Sequence, residues 1–297
     1  MKLLFSPRDI NPSNGSFSKD PGSETHYIET DRDKGAKAND RLAFDDWVAK
    51  IRSSAGSEDV LIWVHGFNTR QSRAIARQRT ITSGLQAAGY RGAVIGFDWP
   101  SEGGGPFSYP SDLKDAAEVA EFLSSDGILP LPAALPGHRI HILAHSMGAY
   151  LSLLSLGKVA NARVDEMLFA AADYDAVKMA AGIPAGQVVD VKTARLTNYL
   201  NTKDAVLNLA TGSVQGGDER LGRAGLPTSP PVKAQDLDCT PVYDAHVDPK
   251  GFRISHTWYS REIRFYRDAV RVLAGEADAG MPTRDTDPVT GARRLKP

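Results

Sequence analysis

"HILAHSMGAY", residues 141–150, sets an apolar run against a run of small residues, with one serine, Ser146, between them. The apolar run is short and continuous, and "MGAYLSLLSLGKV" follows it, so the stretch predicts a buried strand that turns sharply into a helix. A serine at such a turn has its hydroxyl aimed clear of the backbone. The residues around it must be small for strand and helix to approach. The usual pattern is G-x-S-x-G; here it is Ala144-His145-Ser146-Met147-Gly148, with one methyl added at the first position. An ordinary serine capping an ordinary helix fits the same ten residues, so the rest of the chain has to decide.

Working outward, short apolar runs alternate with helical periodicity. "DVLIWVHGF" and "GAVIGFDWP" read as buried strands before the serine, and "VDEMLFAAAD", "ARLTNYLN" and "KAQDLDCT" as strands after it. Between them "FDDWVAKIRSS" puts Phe44, Trp47, Val48 and Ile51 on one helical face, and "RAIARQRTITSGLQAAG" and "SDLKDAAEVAEFLSS" are helical. "SREIRFYRDAVRVL" closes the fold as an amphipathic helix. This alternation predicts the α/β class, a mostly parallel, doubly wound sheet flanked by helices. Residues 1–40 read as an N-terminal extended segment, 41–274 as the α/β domain and 275–297 as a flexible C-terminal tail. Two Gly/Pro-rich stretches, 101–110 and 211–231, are long for connections and are expected to cover or shape a site.

Composition narrows the function classes. The 297 residues carry a formal net charge of −1, which argues against nucleic-acid binding. The single cysteine, Cys239, allows no intrachain disulfide and no cysteine metal cluster. No signal-peptide core and no run of roughly 20 apolar residues is present, so a cytoplasmic protein without a membrane span is expected. Oligomeric state is left open.

In an open parallel sheet, ligands bind beyond the carboxyl ends of the strands, so residues just after each strand carry the chemistry. A serine nucleophile needs a base, and the base needs an orienting carboxylate. For a serine at a strand–helix elbow, the chain order is Ser, acid, His. Only His246 and His256 lie downstream of Ser146. His256, just ahead of the closing helix, is the preferred base, with His246 as the fallback. Asp204, after the fifth strand, is the preferred acid; Asp173 and Asp175, after the fourth, compete with it. A plain helix-terminal role for Asp204 is the bland alternative. The oxyanion of acyl transfer needs preorganised amides, expected from Met147 and from Phe67 in "HGFN". His65 reads as a buttress of that loop. Phe67, Trp99, Phe107, Tyr109, Tyr174 and Trp258 are candidates to line an acyl pocket, with local packing as the alternative for each.

The motifs "WVHGFNT", "GFDWPSEG", "LAHSMG", "NYLNTKDAVL", "RAGLP" and "HTWYSREIRFYRDAV", in this order between about Val60 and Leu273, resemble the α/β-hydrolase superfamily. More narrowly they resemble a bacterial family of such proteins catalogued as a domain of unknown function. The resemblance implies the α/β-hydrolase fold, implies Ser146, Asp204 and His256 as a catalytic triad, and supports Trp99 as a structural or pocket residue. It says little about substrate.

Two other readings fall away. The histidines of "HRIHILAHS" split between strand faces, with His141 and His145 on one and His138 on the other, and no nearby carboxylate completes a metal site. No glycine-rich phosphate loop is present, so no nucleotide and no other cofactor is expected. The expectation is a serine hydrolase acting on a small-molecule carboxylic ester, with Tyr174, Trp258 and Trp99 as substrate-binding candidates. An amidase, thioesterase or lipase, or a non-catalytic binding module of the same fold, are the alternatives.

Overall fold

A computed structural model describes every residue except 1, 33, 57, 102–107 and 214–217. The chain divides into two compact units. The first is Met1–Thr82, Arg91–Leu143 and Leu151–Val164; the second is Ser83–Tyr90, Ala144–Tyr150 and Asp165–Pro297.

The first unit opens with β1 (Lys2–Ile10), β2 (Phe17–Thr30) and β3 (Arg41–Leu42), followed by α1 (Phe44–Ala55) and β4 (Val60–Val64). Next come α2 (Gln71–Ala87, to Thr82 in this unit), β5 (Ala93–Phe97), α3 (Tyr109–Phe122), α4 (Leu131–Ala134) and β6 (Ile140–His145, to Leu143 in this unit). Its strands lie in the order β6-β4-β5-β1-β2-β3. β4 is apolar at all five positions and wholly buried, as a central parallel strand covered on both faces must be. It pairs in parallel with β5, Val60 opposite Ala93 and Val64 opposite Phe97. β5 pairs in parallel with β1. α1 buries Trp47, Val48 and Ile51, the face its spacing predicts, and ends at Gly56 with a positive φ of 60°.

The N-terminal segment is more structured than its sequence suggests. β1 is buried from Leu3 to Arg8 and forms an antiparallel hairpin with β2, Lys2 opposite Thr30. Phe5 meets Trp47 and Phe97 at ring-centroid distances of 5.7 and 4.9 Å, so the segment supplies core. The expected loop 101–110 falls largely on 102–107, Phe107 included, outside the described residues.

The second unit takes up the chain at Ala144 near the end of β6 and holds the first four residues of α5 (Met147–Lys158), whose remainder from Leu151 belongs to the first. From Asp165 it continues through β7 (Val164–Ala170), α6 (Pro184–Lys192) and β8 (Thr193–Leu200). Then come α7 (Ala205–Ser213), α8 (Leu221–Ala224), β9 (Ala234–Asp238) and α9 (Thr240–His246). α10 (Ile254–Thr257), α11 (Ile263–Leu273), β10 (Arg284–Thr286) and β11 (Arg293–Leu295) complete it. Its strand order is β10-β11-β9-β8-β7, with β8, β9 and β11 parallel. α11 buries Phe265, Tyr266, Ala269, Val272 and Leu273. The expected loop 211–231 carries α8, and its residues 214–217 lie outside the described ones.

The expected flexible tail instead carries β10 and β11 and is tied to the unit by charge. Asp268 of α11 receives Nε and Nη2 of Arg284 at 2.8 and 2.6 Å, and the Tyr199 hydroxyl donates to it at 2.8 Å. Arg284 and Asp268 are both fully buried. A polar, aperiodic sequence hid this anchoring, because ion pairs leave no periodic signature. Among the described residues, no helix is long and apolar enough to cross a membrane.

Candidate active site

Ser146 sits between β6 and α5 at φ +55°, a left-handed conformation that costs a non-glycine residue about 1–2 kcal/mol. Three backbone bonds hold it there. Its N–H donates to the Ala170 carbonyl at 3.2 Å, and its own carbonyl accepts from Ala149 and Asp173 at 3.0 and 3.1 Å. Ala171, at φ +50°, makes a second tight reversal at the end of β7. Ala144 and Gly148 are buried against this turn, so larger residues would force strand and helix apart. Met147 is the first residue of α5, where an amide has no acceptor within the helix.

Asp204, fully buried, divides its carboxylate between two tasks. Oδ1 accepts the amides of Val206 and Leu207 at 3.0 and 2.9 Å and so caps α7. Oδ2 lies 2.7 Å from Nδ1 of His256. One side chain therefore both caps the helix and contacts the imidazole. A carboxylate only accepts, so Nδ1 carries the proton and Nε2 is left with its lone pair. Ser146, Asp204 and His256 all belong to the second unit. The ring of His145, the residue before Ser146, lies 4.7 Å from the ring of His256.

The other acid candidates share an arginine, and the other downstream histidine lies on the surface. Asp173 and Asp175 flank the buried Arg220, whose Nε is 3.5 Å from Asp173 Oδ1 and whose Nη1 bonds Asp175 Oδ1. His246 is exposed at the end of α9. His138 bonds the Gly56 carbonyl at 3.0 Å, and His141 lies 3.3 Å from Asp59, whose carboxyl is held below its ordinary range chiefly by His141 and Arg139, against the opposing effect of burial. Among the described residues, no group of three His, Cys, Asp or Glu side chains is placed to hold a metal ion.

Phe67 and Trp99 belong to the first unit. The loop after β4 is pinned by its carbonyls. Trp99 Nε1 donates to His65 at 2.8 Å, the Ser101 hydroxyl to Gly66 at 3.3 Å, and the Thr69 hydroxyl to Phe67 at 3.2 Å. The amide of Asn68 donates to Asp112 at 3.1 Å. No described residue accepts from the amides of Gly66 or Phe67. Below the loop lies a buried network that the sequence did not announce. Asp98 Oδ2 accepts from Arg8 Nε at 3.0 Å and Gln71 Nε2 at 2.9 Å, and Arg8 Nη2 reaches the Trp99 and Thr69 carbonyls at 2.7 and 3.2 Å. Burial pushes the His65 imidazole toward its neutral form. It stacks on Trp99 at 5.3 Å, as a loop buttress should.

The aromatic candidates differ in what they leave open. Trp99 is fully buried, and Trp258 is buried beside Tyr243 and Tyr259. Tyr174 is half-buried and stacks on Tyr150 at 6.3 Å.

The family described as "Alpha/beta hydrolase of unknown function (DUF900)" matches residues 40–269. No curated protein matches the chain. Solved structures similar to it include a cutinase-like protein from Cryptococcus sp., at 18% identity over 76% of this chain and 98% of that one, TM-score 0.36. TT1662 from Thermus thermophilus is 15% identical over 73% of this chain and 88% of that one, TM-score 0.42. The catalytic core domain of acetyl xylan esterase from Trichoderma reesei is 12% identical over 73% and 98%, TM-score 0.40.

Proposed function

Because the chain belongs to this family of α/β hydrolases, we propose that it is a serine hydrolase that cleaves carboxylic esters through an acyl-enzyme on Ser146. His256 Nε2 takes the hydroxyl proton as Ser146 Oγ forms a bond to the ester carbonyl carbon. The carbonyl electron pair moves onto oxygen, and the amide of Met147 is the proposed donor to that oxyanion, with Phe67 the second donor the sequence offers. Collapse expels the alkoxide, which leaves as an alcohol with the proton from His256. Water, deprotonated by the same imidazole, then releases the acid and restores the hydroxyl. Asp204 holds the imidazole in the productive tautomer and offsets its transient charge. Tyr174 is the aromatic side chain proposed to meet substrate; Trp99 and Trp258 are proposed to back the walls of their own loops.

The observation that carries this reading is a serine held at φ +55° at a strand–helix junction, in one unit with a buried Asp–His pair at 2.7 Å. Strain at a single serine persists only where the surroundings over-determine it, and it concentrates at functional positions. The test is turnover of a short p-nitrophenyl ester with labelling by a fluorophosphonate probe. Native protein hydrolyses the ester and is labelled at Ser146, whereas Ser146→Ala does neither and keeps its fold. Equal turnover by the variant would overturn the assignment.

A further inference from the structure

The base is carried on very little structure. α10 is a four-residue turn, too short to hold itself together. The run before it, 248–250, is exposed. Asp204 fixes one atom of the imidazole, and a ring tethered at Nδ1 alone is free to swing about that bond. Two buried side chains close this freedom by holding successive carbonyls of the same turn. Asn201, at the end of β8, donates its Nδ2 to the Ser255 carbonyl at 3.0 Å, while its Oδ1 accepts the Lys203 amide at 3.1 Å. His145, the last residue of β6, has Nε2 3.2 Å from the carbonyl of His256 itself. A carbonyl oxygen only accepts, so His145 Nε2 carries the proton. His145 is 4% exposed and Asn201 3%. The Ser255 hydroxyl adds a third tie, accepting the Ala205 amide at 2.9 Å and donating to the Phe252 carbonyl at 2.7 Å.

We propose that His145 and Asn201 are positioning residues for the base, a two-point clamp on the Ser255 and His256 carbonyls that sets where the imidazole stands. The proposal rests on the serine-hydrolase reading and adds to it two residues that act through the backbone of the base. His145 has a double part. As the last residue of β6 it leads into the turn that carries Ser146, so it couples nucleophile and base through one side chain, and its ring lies 4.7 Å from that of His256, tilted by 50°, while its Nε2 donates to the His256 carbonyl. The ring of Tyr259 also packs against that of His145, at 5.4 Å.

The variants separate hydrogen bond from packing. His145→Phe keeps a ring and loses the donor, His145→Gln keeps a donor and loses the ring, and Asn201→Asp loses its donor while keeping the oxygen that accepts from Lys203. Turnover of p-nitrophenyl acetate is measured per site labelled by fluorophosphonate, so misfolded protein drops out of the comparison. A clamp on the base predicts that His145→Phe and Asn201→Asp lose about 10- to 100-fold in kcat, the scale of a misplaced catalytic group, with KM within about twofold. His145→Gln recovers part of that loss. If His145→Phe and Asn201→Asp both turn over at the native kcat per labelled site, the clamp is wrong. Loss confined to the labelled fraction, at an unchanged rate per site, shows a purely structural part and overturns it equally. Native protein that is neither labelled at Ser146 nor active defeats the hydrolase reading itself, an outcome distinct from these.

Discussion

The left-handed backbone of Ser146 makes a residue-scale prediction that activity assays alone would miss. Alanine carries the same Cβ strain as serine, and glycine does not, so Ser146→Gly should be more stable than Ser146→Ala by about 1 kcal/mol in urea unfolding, with both inactive. For the acid, Asp204→Asn keeps an oxygen to cap α7 but loses the charge that selects the tautomer. A drop of about 10⁴-fold in kcat with little change in Tm is expected. The Asp204–His256 pairing was suggested by chain order, with Ser146, Asp204 and His256 following β6, β8 and β9 in turn. The clamp was not. Strand alternation placed His141 and His145 on one face, but which carbonyl a buried imidazole meets depends on the chain folding back 111 residues later.

At the scale of elements, α3 latches the loop after β4 by a single carboxylate. Asp112 accepts the amide of Asn68, itself at φ +51°, and its other oxygen has no hydrogen-bond partner among the described residues. Burial, the largest cause, pushes this carboxyl up to about 6. Its folded value lies above its unfolded one, so the native state binds the extra proton, and the contribution is present below pH 4 and lost as pH rises through about 6. Asp112→Asn should flatten that part of the stability profile and raise Tm at pH 8 relative to the native protein, as thermal unfolding from pH 4 to 8 will show. A native profile rising between pH 4 and 6 at this position would contradict it. The buried strands β4 to β8 and the helices α2, α3 and α5 were legible because their apolar patterning is strong; α6 was not read. β2 was not, since its first eight residues are half-buried or exposed and its only fully buried positions are His26, Ile28 and Thr30.

On the scale of the molecule, the last 20 residues matter more than their composition suggests. Removing Arg284 leaves Asp268 buried without its bidentate partner, a change that typically costs about 3–5 kcal/mol. Arg284→Ala should therefore lower the urea midpoint well beyond the effect of the exposed Arg253→Ala, measured alongside. The tail also does something that stability does not capture. β11 pairs with β9 and β10 with β11, so a two-strand flap closes the side of β9 that would otherwise present free amides and carbonyls to another chain. The new outer strand, β10, is only three residues long. A protease cut near Gly275 would thus unpair that side of β9 and open it to edge-to-edge association, turning a clipped terminus into a source of aggregates.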